Sequence, residues 1–178
     1  RRIQNAMLTP PEDIYSLIPE HFILFKPRDI VSGDFYWITE IEDRIVCVVA
    51  DCTGHGVPGA FMSMLGISFL NEIVSKNQHI SASQLLNELR EQVIVSLRQT
   101  GRLGDSQDGM DLTALIIDNK NKSIEYSGAN NPLFLYRKGE LIEYKPDKMP
   151  IGIHAKADIP FTNHKFKFKK GDVLYTFS

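Results

Sequence analysis

The chain has little cysteine, one tryptophan and almost no net charge, and each scarcity argues against a class of protein. Two cysteines in 178 residues, Cys47 and Cys52, give neither the dense framework of a disulfide-stapled secreted domain nor the spacing of a zinc knuckle. Reduced thiols in the cytoplasm are therefore expected. A formal charge of −2 provides no basic face of the kind that nucleic acid or an anionic membrane requires. No apolar run is read as approaching the roughly 20 residues of a membrane span, and Arg1-Arg2-Ile3-Gln4 is not followed by a signal-peptide core. No direct membrane contact is expected of this segment. What is present is 43% hydrophobic residues, enough at this length for one well-buried domain and too little chain for two.

Residues 1–20 read as the tail of a helix and then a polar connector, because Pro10, Pro11 and Pro19 interrupt any long regular element. This is a linker from an upstream region, and residues 21–178 form the domain. Runs 21–26, 35–40 and 44–50 have strand character, with Glu42-Asp43 turning between the last two. The run Ile45-Val46-Cys47-Val48-Val49-Ala50 lacks polar alternation, which predicts a strand buried on both faces.

A helix is predicted from about Pro58, with Phe61, Met64, Leu65, Phe69, Ile73 and Val74 at three-and-four spacing. A second opens on a capping box, Ser81 with Gln84, carries Leu85, Leu86, Leu89, Val93 and Leu97, and ends by Gly101. Beyond a polar stretch at 101–109, short strands are predicted at 112–117, 123–127, 133–137, 141–144, 164–168 and 173–177. Strands, two consecutive helices, then strands again argue for α+β layers on antiparallel sheets, since parallel neighbours need a crossover each time.

Two acidic sites lie where a strand meets glycines: Ser32-Gly33-Asp34-Phe35-Tyr36 and Ala50-Asp51-Cys52-Thr53-Gly54-His55-Gly56. A carboxylate at a buried strand end is partly desolvated, and glycines let backbone carbonyls approach an ion. Two such carboxylates about 4 Å apart repel by roughly 4 kcal/mol at an effective dielectric of about 20, so their convergence makes sense around cations. Taken singly, Asp beside Gly is ordinary turn chemistry. Context raises these two, because Asp51 ends the most buried strand and leads directly into a helix.

Val31-Ser32-Gly33-Asp34-Phe35-Tyr36 and the run from Ala50 through Asp51-Cys52-Thr53-Gly54-His55-Gly56-Val57-Pro58-Gly59 to Ala60 resemble the two N-terminal signatures of the sporulation-protein-E (SpoIIE) branch of the metal-dependent PPM phosphatases. Asp108-Gly109-Met110-Asp111, Gly128-Ala129-Asn130-Asn131-Pro132-Leu133, Met149-Pro150-Ile151-Gly152 and Lys170-Gly171-Asp172 resemble later blocks in the same order, so the likeness runs from about Phe22 to Ser178. The resemblance implies an αββα sandwich of two antiparallel sheets flanked by helices. It further implies two manganese or magnesium ions, bridged by Asp51 and completed by the Cys52 carbonyl, with Asp34 binding metal-bound water or a metal directly. The implied reaction is hydrolysis of phosphoserine or phosphothreonine on a regulatory phosphoprotein, for instance an anti-sigma-factor antagonist, under an upstream sensor.

The family continues past the last strand with further metal-binding acids, so the chain as given is expected to be C-terminally truncated, with an incomplete metal site and little activity. A non-catalytic interaction module of the same fold is the competing reading, and a small ligand-binding domain with turn aspartates a third. His55 is read as packing or supporting the loop, because hard ions prefer oxygen. The acidic stretch 105–111 fits no EF-hand register. Asp111 and Thr113 are candidates for lining the site, with a turn or capping role preferred, and Asn130-Asn131-Pro132 reads as a turn.

Overall fold

The computed structural model describes residues 2–102 and 106–178. Of the polar stretch expected at 101–109, residues 103–105 lie outside the described residues. The chain opens with two short helices, α1 (Arg2–Met7) and α2 (Pro11–Leu17), the second with a proline at its start where a missing N–H costs nothing. Strands β1 (Phe35–Ile41) and β2 (Arg44–Cys52) form a hairpin closed over Glu42-Asp43, and helices α3 (Gly56–Lys76) and α4 (Ala82–Ser96) follow. Six strands complete it: β3 (Met110–Asp118), β4 (Ser123–Ala129), β5 (Leu133–Arg137), β6 (Glu140–Tyr144), β7 (His164–Lys167) and β8 (Val173–Tyr175).

The strands assemble into a five-stranded sheet in the order β1-β2-β3-β4-β7 and a three-stranded sheet in the order β6-β5-β8, with every ladder antiparallel. One face of β2, carrying Val46, Val48, Ala50 and Cys52, packs with Ile67, Leu70 and Ile73 of α3 and Leu85, Leu86, Leu89 and Val93 of α4. The other face presents Cys47 to a smaller cluster with Leu115, Tyr126, Leu133 and Leu174, which joins the two sheets. The helices therefore cover one side of the large sheet and the small sheet the other. Each fully buried leucine here contributes about 1.5–3 kcal/mol.

Three expectations need correction. Residues 21–26 form no strand, and Phe22 and Leu24 stand 76% and 74% exposed. Apolar alternation gives strand character, but a strand exists only with a ladder partner, and β1 pairs with β2 alone. The connector after Met7 is not merely irregular, because Pro11 starts a helix rather than breaking one. Finally, α3 spans 21 residues and is apolar enough, by length and composition, to have crossed a membrane. Half of its apolar 18-residue window is buried within the protein.

Helix α4 opens on the anticipated capping box: the Ser81 hydroxyl accepts from the Gln84 N–H, and the Gln84 side chain accepts from the Ser81 N–H at 2.9 Å. Replacing Ser81 by Ala should lower unfolding free energy by about 1 kcal/mol in urea titration, the usual worth of an N-cap hydroxyl.

Candidate metal centre

The two acidic segments meet through backbone contact between glycines. A Cβ on Gly33 would lie 2.9 Å from the carbonyl oxygen of Gly54 and 3.0 Å from that of Cys52. One on Gly59, in the first turn of α3, would lie 2.5 Å from the Gly54 oxygen and 3.0 Å from the Gly33 Cα. Only residues without a side chain let these three stretches of main chain touch. The loop between them bends at Gly54, whose φ of +86° favours glycine.

Asp34 and Asp51 are brought near one another by this packing, close enough for Asp34 to act on the Asp51 carboxyl. Burial first, and then the hydrogen bond and negative charge of Asp34, push the Asp51 carboxyl from 3.8 up to about 6. A partly buried carboxylate with a like-charged neighbour is a setting that favours a cation. The Ser32 hydroxyl accepts from the Asp34 N–H at 3.0 Å, fixing the turn that aims that residue.

Cys52 follows Asp51 with its side chain in the core; burial, reinforced by Asp51 and Asp34, raises its thiol so that the sulfur stays protonated. Its contribution to a cation would be the carbonyl oxygen, a hard donor like the carboxylates. Cys47 is likewise free, and burial pushes it up to about 12.

The later blocks close around the same end of the sheet. The Thr53 N–H donates to the Gly109 carbonyl at 2.9 Å, and the Thr53 hydroxyl accepts from the Gly109 N–H at 3.1 Å. Met110 and Ile151 exchange two backbone hydrogen bonds, of 3.0 and 2.8 Å. Asp111 is the direct cross-strand partner of Asp51 and accepts from Asn130 Nδ2 at 2.8 Å. The structure thus places Asp111 opposite Asp51 and ties it to the Asn130 turn. Thr113 is buried and donates to the Asn131 carbonyl.

Asn130 makes the expected turn, with φ of 58°, and its side chain also holds Asp111. His55 precedes α3 with its ring exposed, Nδ1 lying 3.4 Å from Asp29 Oδ2. The block at 170–172 is tied to the small sheet instead, since Asp172 pairs with Arg137 of β5 at 2.6 Å, and the guanidinium holds its carboxyl below the usual range. Among the described residues no three histidine, cysteine or acidic side chains gather closely enough to hold a metal ion. The candidate centre consists of two neighbouring acids, Asp34 and Asp51, beside the Cys52 carbonyl.

A family profile for stage II sporulation protein E (SpoIIE) matches residues 41–178. The chain belongs to that family. The matched stretch begins later than the resemblance drawn from Phe22, leaving the Ser32–Tyr36 block ahead of it. No curated protein sequence matches the chain.

Among solved structures, the PP2C domain of SiaA from Pseudomonas aeruginosa is 30% identical, superposes with a TM-score of 0.84, and is matched over 98% of this chain and 66% of that one. The PP2C phosphatase domain of SpoIIE from Bacillus subtilis, solved with a fragment of its regulatory domain, is 22% identical, with a TM-score of 0.64 over 82% of this chain and 40% of that one. RsbX in complex with magnesium shares the fold at 16% identity and a TM-score of 0.61, over 87% of this chain and 70% of that one. This chain therefore spans less than two thirds of the first two. It is a PP2C-type, phosphatase-like α+β domain of the SpoIIE family.

Substituting Gly59 by Ala should cost about 1–3 kcal/mol in urea unfolding, because backbone must give way on both sides of the new methyl. The carboxylate pair also predicts a pH dependence in the metal-free protein. Folded Asp51 holds its proton more tightly than unfolded Asp51, so the associated stability is fully present below pH 3.8 and is lost as pH rises through about 6. In EDTA, the difference in urea midpoint between wild type and Asp51→Asn should widen in favour of the variant from pH 4 to pH 7; a constant difference would show that the pair is not mutually destabilising.

Proposed function

We propose that this domain serves the hydrolysis of phosphoserine or phosphothreonine on a regulatory phosphoprotein of bacterial signalling, with manganese or magnesium held by Asp34, Asp51 and the Cys52 carbonyl oxygen. The observation that carries the reading is the approach of the Asp34 and Asp51 segments across the glycine contact of Gly33, Gly54 and Gly59, close enough for Asp34 to raise the Asp51 carboxyl. Two carboxylates and a carbonyl are hard oxygen donors, and neighbouring acids that disfavour each other's ionisation suit a hard divalent ion.

A bound pair of such ions would supply Lewis acidity, lowering the pKa of water and neutralising phosphoryl oxygens. Asp51 would hold an ion together with Asp34, and Asp111 lies opposite Asp51 in the ladder. Asp34 is aimed by the Ser32 hydroxyl and would orient water or meet an ion itself. Asn130 keeps Asp111 turned to a fixed donor beside this centre. No side chain is required as covalent nucleophile, and the Cys52 thiol is buried in the core.

Support for the metal comes from RsbX, a structure of the same fold determined with magnesium. Support for a regulatory setting comes from SpoIIE, described as a cell fate determinant and solved with part of its regulatory domain. On this reading an anti-sigma-factor antagonist is a fitting substrate, residues 1–20 connect to an upstream sensor, and the free cysteines suit the cytoplasm. The competing reading, a non-catalytic interaction module, is favoured by the absence of a three-ligand cluster among the described residues.

Calorimetry with Mn2+ and phosphate release from a phosphoserine protein separate the two. Asp51→Asn should abolish measurable Mn2+ binding and, in the natural protein containing this chain, lower turnover by more than about 100-fold. Unaltered Mn2+ binding in Asp51→Asn would overturn the ligand assignment. Tight binding of the phosphoprotein without any Mn2+-dependent turnover would establish the interaction module instead.

A further inference from the structure

The ladder that carries Asp51 closes on a side chain. β2 and β3 pair with Asp51 opposite Asp111 and Cys52 opposite Met110, so the same register sets Thr53 opposite Gly109. The Thr53 N–H donates to the Gly109 carbonyl at 2.9 Å, which is one half of a hydrogen-bonded antiparallel pair. The other half of such a pair runs from the facing N–H to the carbonyl of the same residue. Here the Gly109 N–H donates to the Thr53 hydroxyl instead, at 3.1 Å.

The hydroxyl thus takes the place of its own residue's carbonyl, and the main chain leaves the ladder to bend at Gly54 toward α3. The facing segment is held from its other side. Gln99, 5% exposed just beyond α4, donates through Nε2 to the Asp108 carbonyl at 2.6 Å and accepts at Oε1 from the Ile153 N–H at 2.9 Å. Gly109 is buried, and a Cβ there would lie 2.5 Å from the Ile151 carbonyl oxygen. Its peptide is therefore a fixed post to which Thr53 is tied.

We propose that Thr53 is a positioning residue for the metal site: by closing the β2–β3 ladder through its hydroxyl it fixes the direction of the Cys52 carbonyl, and with it the affinity for a divalent cation. This rests on Asp51 and the Cys52 carbonyl being metal donors. The Cys52 carbonyl and the Thr53 N–H share one planar peptide and point opposite ways. With that N–H bonded to Gly109, the Cys52 oxygen is turned away from β3 and toward Gly33, where a Cβ would lie 3.0 Å from it. Without the hydroxyl, the buried Gly109 N–H either goes unpaired or draws in the Thr53 carbonyl, and both outcomes disturb the peptide that carries the Cys52 oxygen.

The test measures Mn2+ binding by the natural protein containing this chain, through the electron-paramagnetic-resonance signal of free Mn2+. Thr53→Val keeps the shape and removes the acceptor. Thr53→Ser keeps the hydroxyl and removes the methyl. Ser81→Ala loses the capping hydroxyl of α4, touches neither bond of the Thr53 pair, and controls for lowered stability. Asp51→Asn reports on the ligand assignment itself.

The expected result is an affinity loss of about 10-fold or more in Thr53→Val, the size seen when groups supporting a metal ligand are removed. Thr53→Ser should bind close to wild type, and Ser81→Ala as wild type despite a lower midpoint of unfolding. Wild-type binding by Thr53→Val, or an equal loss in Thr53→Val and Thr53→Ser, would overturn the inference while the ligand assignment stands. If Thr53→Val does not fold, Thr53→Ala set against Thr53→Ser decides in its place, and equal affinity of those two sinks the role of the hydroxyl. Wild-type binding by Asp51→Asn, or no Mn2+ binding by the unaltered protein, would remove the ligand assignment and this inference together.

Discussion

The structure depends on a contact in which no side chain takes part: the peptide at Gly33 lying against the Gly54 carbonyl and the first turn of α3 at Gly59. A methyl group on either flanking glycine would come within 3 Å of main chain, so the distance between the two acidic segments is set by backbone alone. That close approach puts Asp34 near Asp51, and burial together with Asp34 raises the Asp51 carboxyl. A fold selected only for stability would not bring two acids together at a strand end, since like charges at short range oppose folding. The strain is local and is offset by the core of α3, α4 and the large sheet behind it.

Around that contact the rest of the site is built from pairing register. β2 and β3 are joined in a ladder that sets Asp51 opposite Asp111, with Cys52 opposite Met110. The loop after Cys52 is pinned to Gly109 by Thr53, and Gly109 runs into the Met110 to Ile151 bridge. Blocks about 100 residues apart in sequence thereby meet at one end of one sheet. Keeping a short distance over so long a chain separation requires rigid elements, which explains why the acids sit at the ends of the most buried strands rather than in open loops.

Much of this was legible beforehand. The runs predicted as strands 35–40, 44–50 and 133–137, and the capping box at Ser81, correspond to observed elements because period-two and period-three-and-a-half patterns and cap chemistry are written in near neighbours. Residues 21–26 show the limit of that logic, since their apolar alternation found no ladder and left Phe22 and Leu24 exposed. Gln4 gave no signal at all: a glutamine in a short helix looks like a solvated residue until its partner 28 positions away is known.

The sequence by itself determined the order and type of most elements and marked Asp34 and Asp51 as acids at strand ends beside glycines. That these acids come near each other, that Asp111 lies across from Asp51, and that α1 is fastened to Ser32 through Gln4 emerges only from the packed chain. The physical reason is range. Helix and strand patterns act between residues a few positions apart, whereas register and the glycine contact are settled only when distant segments pack against one another.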